Sequence, residues 1–331
     1  MTKETWRDVI LKGPGPQNKK EATILYVKGL IMGTADLVPG VSGGTVAFVT
    51  GIYDKLLEAI ASVDKSFFTS LGKLNLKEAF SKVHLRFLIP LVLGIGTAIF
   101  SLARLMHFLM NHYPHQTWGL FFGLIVASTI IVGKNLENLS SVKTLFFICF
   151  GSFIGHLLVS LIPVSTPNSL WFIFICGMIG ITAMILPGLS GSFLLLILGK
   201  YAYVTGALKA PFVGDNFQIL SVFLFGMITG LLSFSRVLRF CLNSYKERTL
   251  SFLTGLLIGS LQKIWPWKNV LEKTIVRGKE KVLREELFFP KEINGDVIIV
   301  FAIMIIGFTG VLLIESLAKK KRSWRLTRNC L

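Results

Sequence analysis

Apolar positions in this chain run in long blocks, not in the one-sided stripes of a soluble helix. The stretches 87–103, 145–162, 219–235 and 297–314 each approach the roughly 20 residues that cross a hydrocarbon core, and the last carries no charge. Followed to their polar ends, the blocks predict helices near 87–110, 117–133 and 144–162, then near 219–240, 249–265 and 297–315. Two further apolar stretches are interrupted by Pro-Gly, in PGVSGGT (39–45) and PGLSGS (187–192). Proline removes a donor and glycine favours unwinding, so each of these predicts a broken helix.

The interruptions belong to an internal repeat. GLIMGTADLVPGVSGGTVAFVTGIY (29–53) lies without a gap over GMIGITAMILPGLSGSFLLLILGKY (177–201), 148 residues further on. The match includes Gly29/Gly177, Thr34/Thr182, Pro39/Pro187, Gly40/Gly188, Ser42/Ser190, Gly43/Gly191, Gly51/Gly199 and Tyr53/Tyr201. A second match, displaced by 132, lays LVLGIGTAIFSLARLMHF (91–108) over FLFGMITGLLSFSRVLRF (223–240) and pairs Gly94 with Gly226 and Arg104 with Arg236. It continues through Thr117/Thr249, Gly123/Gly255 and Ser128/Ser260. Chance similarity of apolar sequence would not align the polar and helix-breaking positions, so the halves are duplicates.

Composition excludes a water-soluble fold: 52% of the residues are hydrophobic and 16% charged, against about 25% charged in soluble domains. The net charge of +17 would otherwise point to nucleic acid, but no nucleic-acid motif accompanies it. Lys and Arg gather in the N-terminal tail, in 54–86 and from Lys319 to Arg328, as cytoplasmic flanks do. If 24–58 and 172–208 each enter and return on one side, every half has three full crossings and the second half is inverted. The tails, 54–86, Lys134 to Lys143 and Lys246 to Arg248 then fall inside, while 111–116 and 163–170, without Lys or Arg, fall outside. The segment 266–296 fits less well, being outside yet rich in Lys and Arg.

The expected fold is thus an all-α polytopic membrane protein of two inverted-topology repeats, each a re-entrant helical hairpin plus about three transmembrane helices. A cytoplasmic tail (1–23) precedes repeat 1 (24–163), and repeat 2 (171–318) precedes a basic cytoplasmic tail (319–331). The first 20 residues, with Gly13, Pro14, Gly15 and Pro16, hold no apolar run, so insertion is expected to rely on internal segments. Cys149, Cys176, Cys241 and Cys330 are isolated and read as small apolar residues; neither a metal site nor a cofactor is expected.

Broken backbone at membrane depth is tolerated where protein or a water-filled cavity covers it. A helix-like run over 46–58 follows the first break, so Ser42, the amides of Gly43 and Gly44, and Thr45 are expected to be free at its start, with Pro39 and Gly40 forming the turn. Pro187, Gly188, Ser190, Gly191 and Ser192 mirror them. Two helix N-termini meeting from opposite faces make a donor-rich site for an anion, phosphate above all. The competing reading is that the glycines serve close helix packing. Arg104 and Arg236, costly inside a membrane unless paired or snorkelling, are expected toward opposite faces as guides for the same anion, or else as anchors at headgroup level. Asp36 breaks the symmetry, since its counterpart is Met184; it is the candidate for a coupling proton or sodium ion, or for a structural pair with an arginine. His156 reads as a packing residue rather than a titrating one.

KGLIMGTADLVPGVSGGTVAFVTGIY, the second PGLSG copy and the overall length resemble the PopT family of polyprenyl-phosphate translocases, over roughly residues 24–318. The resemblance implies a multi-pass protein of the bacterial cytoplasmic membrane that returns undecaprenyl phosphate from the outer to the inner leaflet, making a membrane lipid its partner. Membrane undecaprenyl-pyrophosphate phosphatases are the rival, with duplicated re-entrant segments and a PGxSRSxxT motif. Here Gly43 and Gly191 stand where that motif has arginine, and no ExxxE precedes either copy, so charge stabilisation and the general acid or base are missing. A small-anion channel or exchanger is the third possibility.

Overall fold

The computed structural model describes residues 5–328 except 7, 10–12, 38–40, 135 and 277–278. The chain enters the first repeat on α1 (Lys19–Asp36). Its start is fixed reciprocally: the Asn18 side chain accepts from the Glu21 amide at 2.9 Å, and the Glu21 carboxylate accepts from the Gln17 amide at 2.8 Å. After the first break come α2 (Gly43–Val49) and α3 (Tyr53–Ala61), then two short helices, α4 (Lys65–Gly72) and α5 (Leu76–Lys82). Three long helices follow, α6 (Leu85–His112), α7 (Pro114–Gly133) and α8 (Val142–Ser160). The second repeat runs through α9 (Leu170–Ile185), α10 (Gly191–Ile197), α11 (Tyr201–Lys209), α12 (Asn216–Ser244), α13 (Lys246–Ser260) and α14 (Gly295–Arg328). The order long helix, break, seven-residue helix, turn, nine-residue helix therefore occurs twice.

Three expectations change. The helix anticipated over 46–58 is two helices, because Gly51 adopts φ +67° and turns the chain between α2 and α3. Its counterpart Gly199, at φ +65°, does the same, and α10 and α11 meet at 110°. The helix anticipated over 249–265 ends at Ser260 and tightens into a 3₁₀ turn, Leu261–Ile264, ahead of Trp265 and Pro266. A residue before proline is disfavoured in the α region, which sets that limit. Nor is the fold purely α: β1 (Lys268–Val276) and β2 (Lys279–Leu287) form an antiparallel hairpin from Lys268 opposite Leu287 to Val276 opposite Lys279. Val270, Thr274, Ile275 and Val276, branched at Cβ, suit a strand better than a helix.

Among the described residues, five helices are long and apolar enough to cross a membrane: α6, α7, α8, α12 and α14. Their apolar side chains face outward in number, Phe100 at 89% exposure and Phe225 at 65%, where a soluble surface keeps such patches small. The protein is a mostly helical, multi-pass membrane protein.

The chain divides into two compact units. One takes residues up to Met106 together with Pro163–Lys246; the other takes His107–Ile162 and the residues from Glu247 on. In the first, Gly29 of α1 lies against the Leu91 carbonyl of α6 and Gly94 of α6 against the Tyr26 carbonyl, so closely that a methyl group on either would collide with backbone. Gly177 and Gly226, their repeat counterparts, join α9 to α12 through the carbonyls of Phe223 and Phe174. In the second unit Gly123 seats α7 on the Met304 carbonyl of α14, and its counterpart Gly255 seats α13 on the Ile148 carbonyl of α8. Each crossing thus has a partner in the repeat, and small residues permit it where lipid offers no hydrophobic drive. The hairpin packs in the second unit, with Trp267 against Val297 and Val300 of α14 and the Lys268 ammonium 4.0 Å from the Trp118 ring centroid. Burial pulls Lys268 down to about 8.

Candidate functional site

The two breaks meet within the first unit. Beyond Ile185 the chain leaves the helix, and Pro187 has no amide to give, so the last carbonyls of α9 lack helical partners. Hydroxyls from the first repeat supply them: Ser42 Oγ donates to the Met184 carbonyl at 2.9 Å, and the Tyr53 hydroxyl donates to the Ile185 carbonyl at 3.0 Å. In return, the Gly188 amide donates to Thr45 Oγ1 at 2.9 Å. Gly44 lies beneath the same two carbonyls, with room for a hydrogen and nothing larger. Gly188 itself holds φ +87°, which a side chain would strain.

A cavity of about 60 Å³ opens beside this junction, lined by Asp36, Val41, Ser42, Met184, Ser190, Gly191 and Ser192. That is room for a few waters or one small polar group. Ser42 is 1% exposed and Ser190 6%; Ser190 Oγ and Ser192 Oγ are 3.0 Å apart, and either can donate. Asp36 is the one ionisable residue of the lining.

The motif residues are therefore brought together, but the amides anticipated as free are not. The Gly43 amide donates to Asp36 Oδ1 at 2.7 Å, and the Gly44 amide donates to Ser42 Oγ at 3.1 Å. The physical reason is the usual one at a helix start: orphaned donors take the nearest oxygen, here a serine cap and a carboxylate seven residues back. Thr45 is buried and committed to Gly188. Asp36 meets this amide rather than an arginine. Pro39 and Gly40 lie outside the described residues. Arg104 and Arg236 do not line the cavity; both are exposed. Arg236 donates to the Val63 carbonyl at 2.6 Å, whereas Arg104 makes no hydrogen bond or ion pair among the described residues. His156 is exposed on α8, Cys176 is buried, Cys149 exposed, and Cys330 lies outside the described residues. Tyr53 is a hydroxyl of the junction that the motif alone does not single out, although its identity with Tyr201 marks it as part of the repeated unit.

The chain matches the undecaprenyl phosphate translocase-like family over residues 32–282. It belongs to that family. It is 43% identical, over 78% of its length and 82% of the relative's, to a polyprenyl-phosphate transporter of Vibrio cholerae serotype O1. It is 32% identical, over 73% of its length and 86% of the relative's, to a polyprenyl-phosphate transporter of Staphylococcus aureus. No solved structure matches. The resemblance read from the doubled motif is thus borne out. The family match spans both breaks, both arginines and every residue of the cavity.

Proposed function

We propose that this translocase-family member carries a polyprenyl phosphate, undecaprenyl phosphate being the expected one, from the outer to the inner leaflet of the bacterial cytoplasmic membrane. No bond of the lipid is made or broken in this reading. The observation that carries it is the junction of the two breaks: buried hydroxyls from both repeats line one small cavity in a chain whose outer surface is apolar. Hydroxyls and amides hold a phosphate monoester, while the isoprenoid chain stays in lipid.

Asp36 is the coupling group in this reading. While ionised it holds the Gly43 amide; neutralised by a proton or a sodium ion, it gives that donor up to the phosphate. Asp36→Asn should then bind the lipid but respond at most weakly to an imposed proton or sodium gradient, measured in proteoliposomes with each gradient applied in turn. A gradient response equal to wild type would remove Asp36 from the coupling step.

Arg104 and Arg236 serve as guides on opposite sides. Arg104→Ala should reduce capture from the outer leaflet about tenfold and Arg236→Ala release to the inner one to a similar degree, with lysine a poor substitute because it cannot form the bidentate fork. Right-side-out and inside-out vesicles separate the two defects. Full activity of both alanine variants reduces the arginines to anchors.

The re-entrant, inverted arrangement places the N-terminus, 54–86 and the C-terminus in the cytoplasm, supported by their Lys and Arg content. Leu74, 85% exposed between α4 and α5, is the position to test. On a background without other cysteines, Leu74→Cys should resist an impermeant thiol reagent in intact cells and react once they are opened. Reaction in intact cells overturns the arrangement.

A further inference from the structure

Two lysines of the first unit are withdrawn from solvent, and no carboxylate meets either among the described residues. Half-buried Lys28, on α1, donates to the Thr50 carbonyl at 2.6 Å, where α2 ends. Lys200, 2% exposed, sits just past the end of α10. Its ammonium donates to the Thr166 carbonyl at 2.7 Å and to Asn168 Oδ1 at 2.8 Å, and stands 5.8 Å from the ring centroids of Phe172 and Tyr203.

In the 148-residue register of the repeat, Lys28 corresponds to Cys176, and Lys200 to Ile52. Each repeat thus has a lysine at its return turn, supplied from a different position in the chain. Cys176, 0% exposed, lies on α9, the helix whose Phe172 ring stands beside the Lys200 ammonium. Thr50 corresponds to Leu198; Lys28 holds the Thr50 carbonyl directly, and Lys200 holds the segment that takes the Leu198 carbonyl. In that segment Thr166 Oγ1 donates to the Leu198 carbonyl at 2.6 Å, and the Val164 amide donates to the Ile197 carbonyl at 2.8 Å. Both ammonium groups thus bear on the C-terminal end of a seven-residue helix, Lys28 by taking its terminal carbonyl and Lys200 by fastening the turn to the segment that takes it. A charge withdrawn from water is expensive to keep, and a lysine at the return turn of each repeat, from two different chain positions, argues that the turn requires it.

We propose that Lys28 and Lys200 are matched positioning residues: each pins the return turn behind its short helix and so fixes the cavity serine, Ser42 or Ser190, at that helix's other end. Two turns of helix, about 10 Å, separate the pinned end from the serine, too short a rod to bend. The inference rests on the cavity being the substrate site.

Exchange variants test it, in purified protein scored for leaflet-resolved transport of undecaprenyl phosphate in proteoliposomes and for the melting midpoint in detergent. Lys200→Ile should raise the half-saturating lipid fraction about tenfold or more and lower the midpoint. Cys176→Lys combined with Lys200→Ile, which rebuilds the second repeat in the arrangement of the first, should restore both. Adding Ser190→Ala to Lys200→Ile should worsen transport far less than it does in wild type, because a serine already out of place has little left to lose. Should Lys200→Ile fail to fold, Lys28→Cys with and without Ile52→Lys poses the same question in the other repeat. Wild-type transport by either single variant, exchange variants no better than the single ones, or full additivity with Ser190→Ala overturns the proposal. If wild type itself moves no lipid, the reading of the cavity fails, and recovery of the midpoint by the exchange still decides whether the cation's place is required.

Discussion

Ser42→Ala and Ser190→Ala are each expected to weaken the hold on a polyprenyl phosphate about ten- to hundredfold, the loss that follows a missing hydrogen bond to a charged group once each hydroxyl turns its single proton to the phosphate, Ser42 giving up the Met184 carbonyl and Ser190 its contact with Ser192. The two variants should differ in a second respect. Ser42 Oγ also caps α2 through the Gly44 amide and supplies the Met184 carbonyl, so its removal leaves two backbone groups without partners. Loss of a serine cap alone costs about 1 kcal/mol. Ser42→Ala should therefore lower the melting midpoint as well as transport. Among the described residues Ser190 caps nothing with its side chain and hydrogen-bonds only Ser192, so Ser190→Ala should affect transport and leave the midpoint close to wild type. Thermal unfolding in detergent beside transport in proteoliposomes separates the two effects, and equal midpoints for the two variants would contradict the asymmetry of the junction.

Gly44→Ser is expected to be the most damaging small change, although the repeat itself has serine at the corresponding position, Ser192. A Cβ on Gly44 would stand 2.6 Å from both the Met184 and the Ile185 carbonyl oxygens, and neither is the movable end of a side chain. The first repeat would have to withdraw from the second, straining the bonds of Ser42, Thr45 and Tyr53 that join them. Overpacking of this kind costs about 1–3 kcal/mol, and the cavity serines move apart with it. Ser192, by contrast, is exposed, so Ser192→Gly should fold normally and lose only its hydroxyl at the cavity. The check is the yield and melting midpoint of the two variants; a Gly44→Ser protein as stable and active as wild type would remove close contact at the junction as a requirement.

Much of this was legible in the chain. Apolar blocks gave the long helices to within a few residues, because a helix in lipid has no other way to satisfy its backbone, except that α14 runs on past the expected end at 315 to Arg328, beyond its apolar block. The doubled PGxSG located the junction, since the register carried Pro, Gly and Ser together. Other features depend on contacts that no local pattern announces. Asp36 reaches the Gly43 amide across a break, where helical periodicity stops. Arg104 and Arg236 could be placed in height along their helices, but height does not fix the direction in which a side chain points, and neither lines the cavity. Gly51 stands in the repeat register only as the match of Gly199, and it is its φ of +67° that marks a turn. The hairpin was obscured by its charge, because Lys, Arg and Glu make up most of β2 and interrupt the branched residues of β1. Lys28 and Lys200 were invisible as a pair, since repeat register aligns each with a different residue type.

The central claim is that one cavity, shared by the two breaks, holds the lipid phosphate. It is tested most directly by reconstituting wild type, Ser190→Ala and Asp36→Asn in proteoliposomes and following fluorescent undecaprenyl phosphate from one leaflet to the other. The account predicts fast equilibration with wild type, inhibited by unlabelled undecaprenyl phosphate but not by undecaprenol, and a rate lowered about tenfold or more by Ser190→Ala at limiting lipid. Equal rates for wild type and Ser190→Ala, or equal inhibition by the alcohol lacking the phosphate, would contradict it.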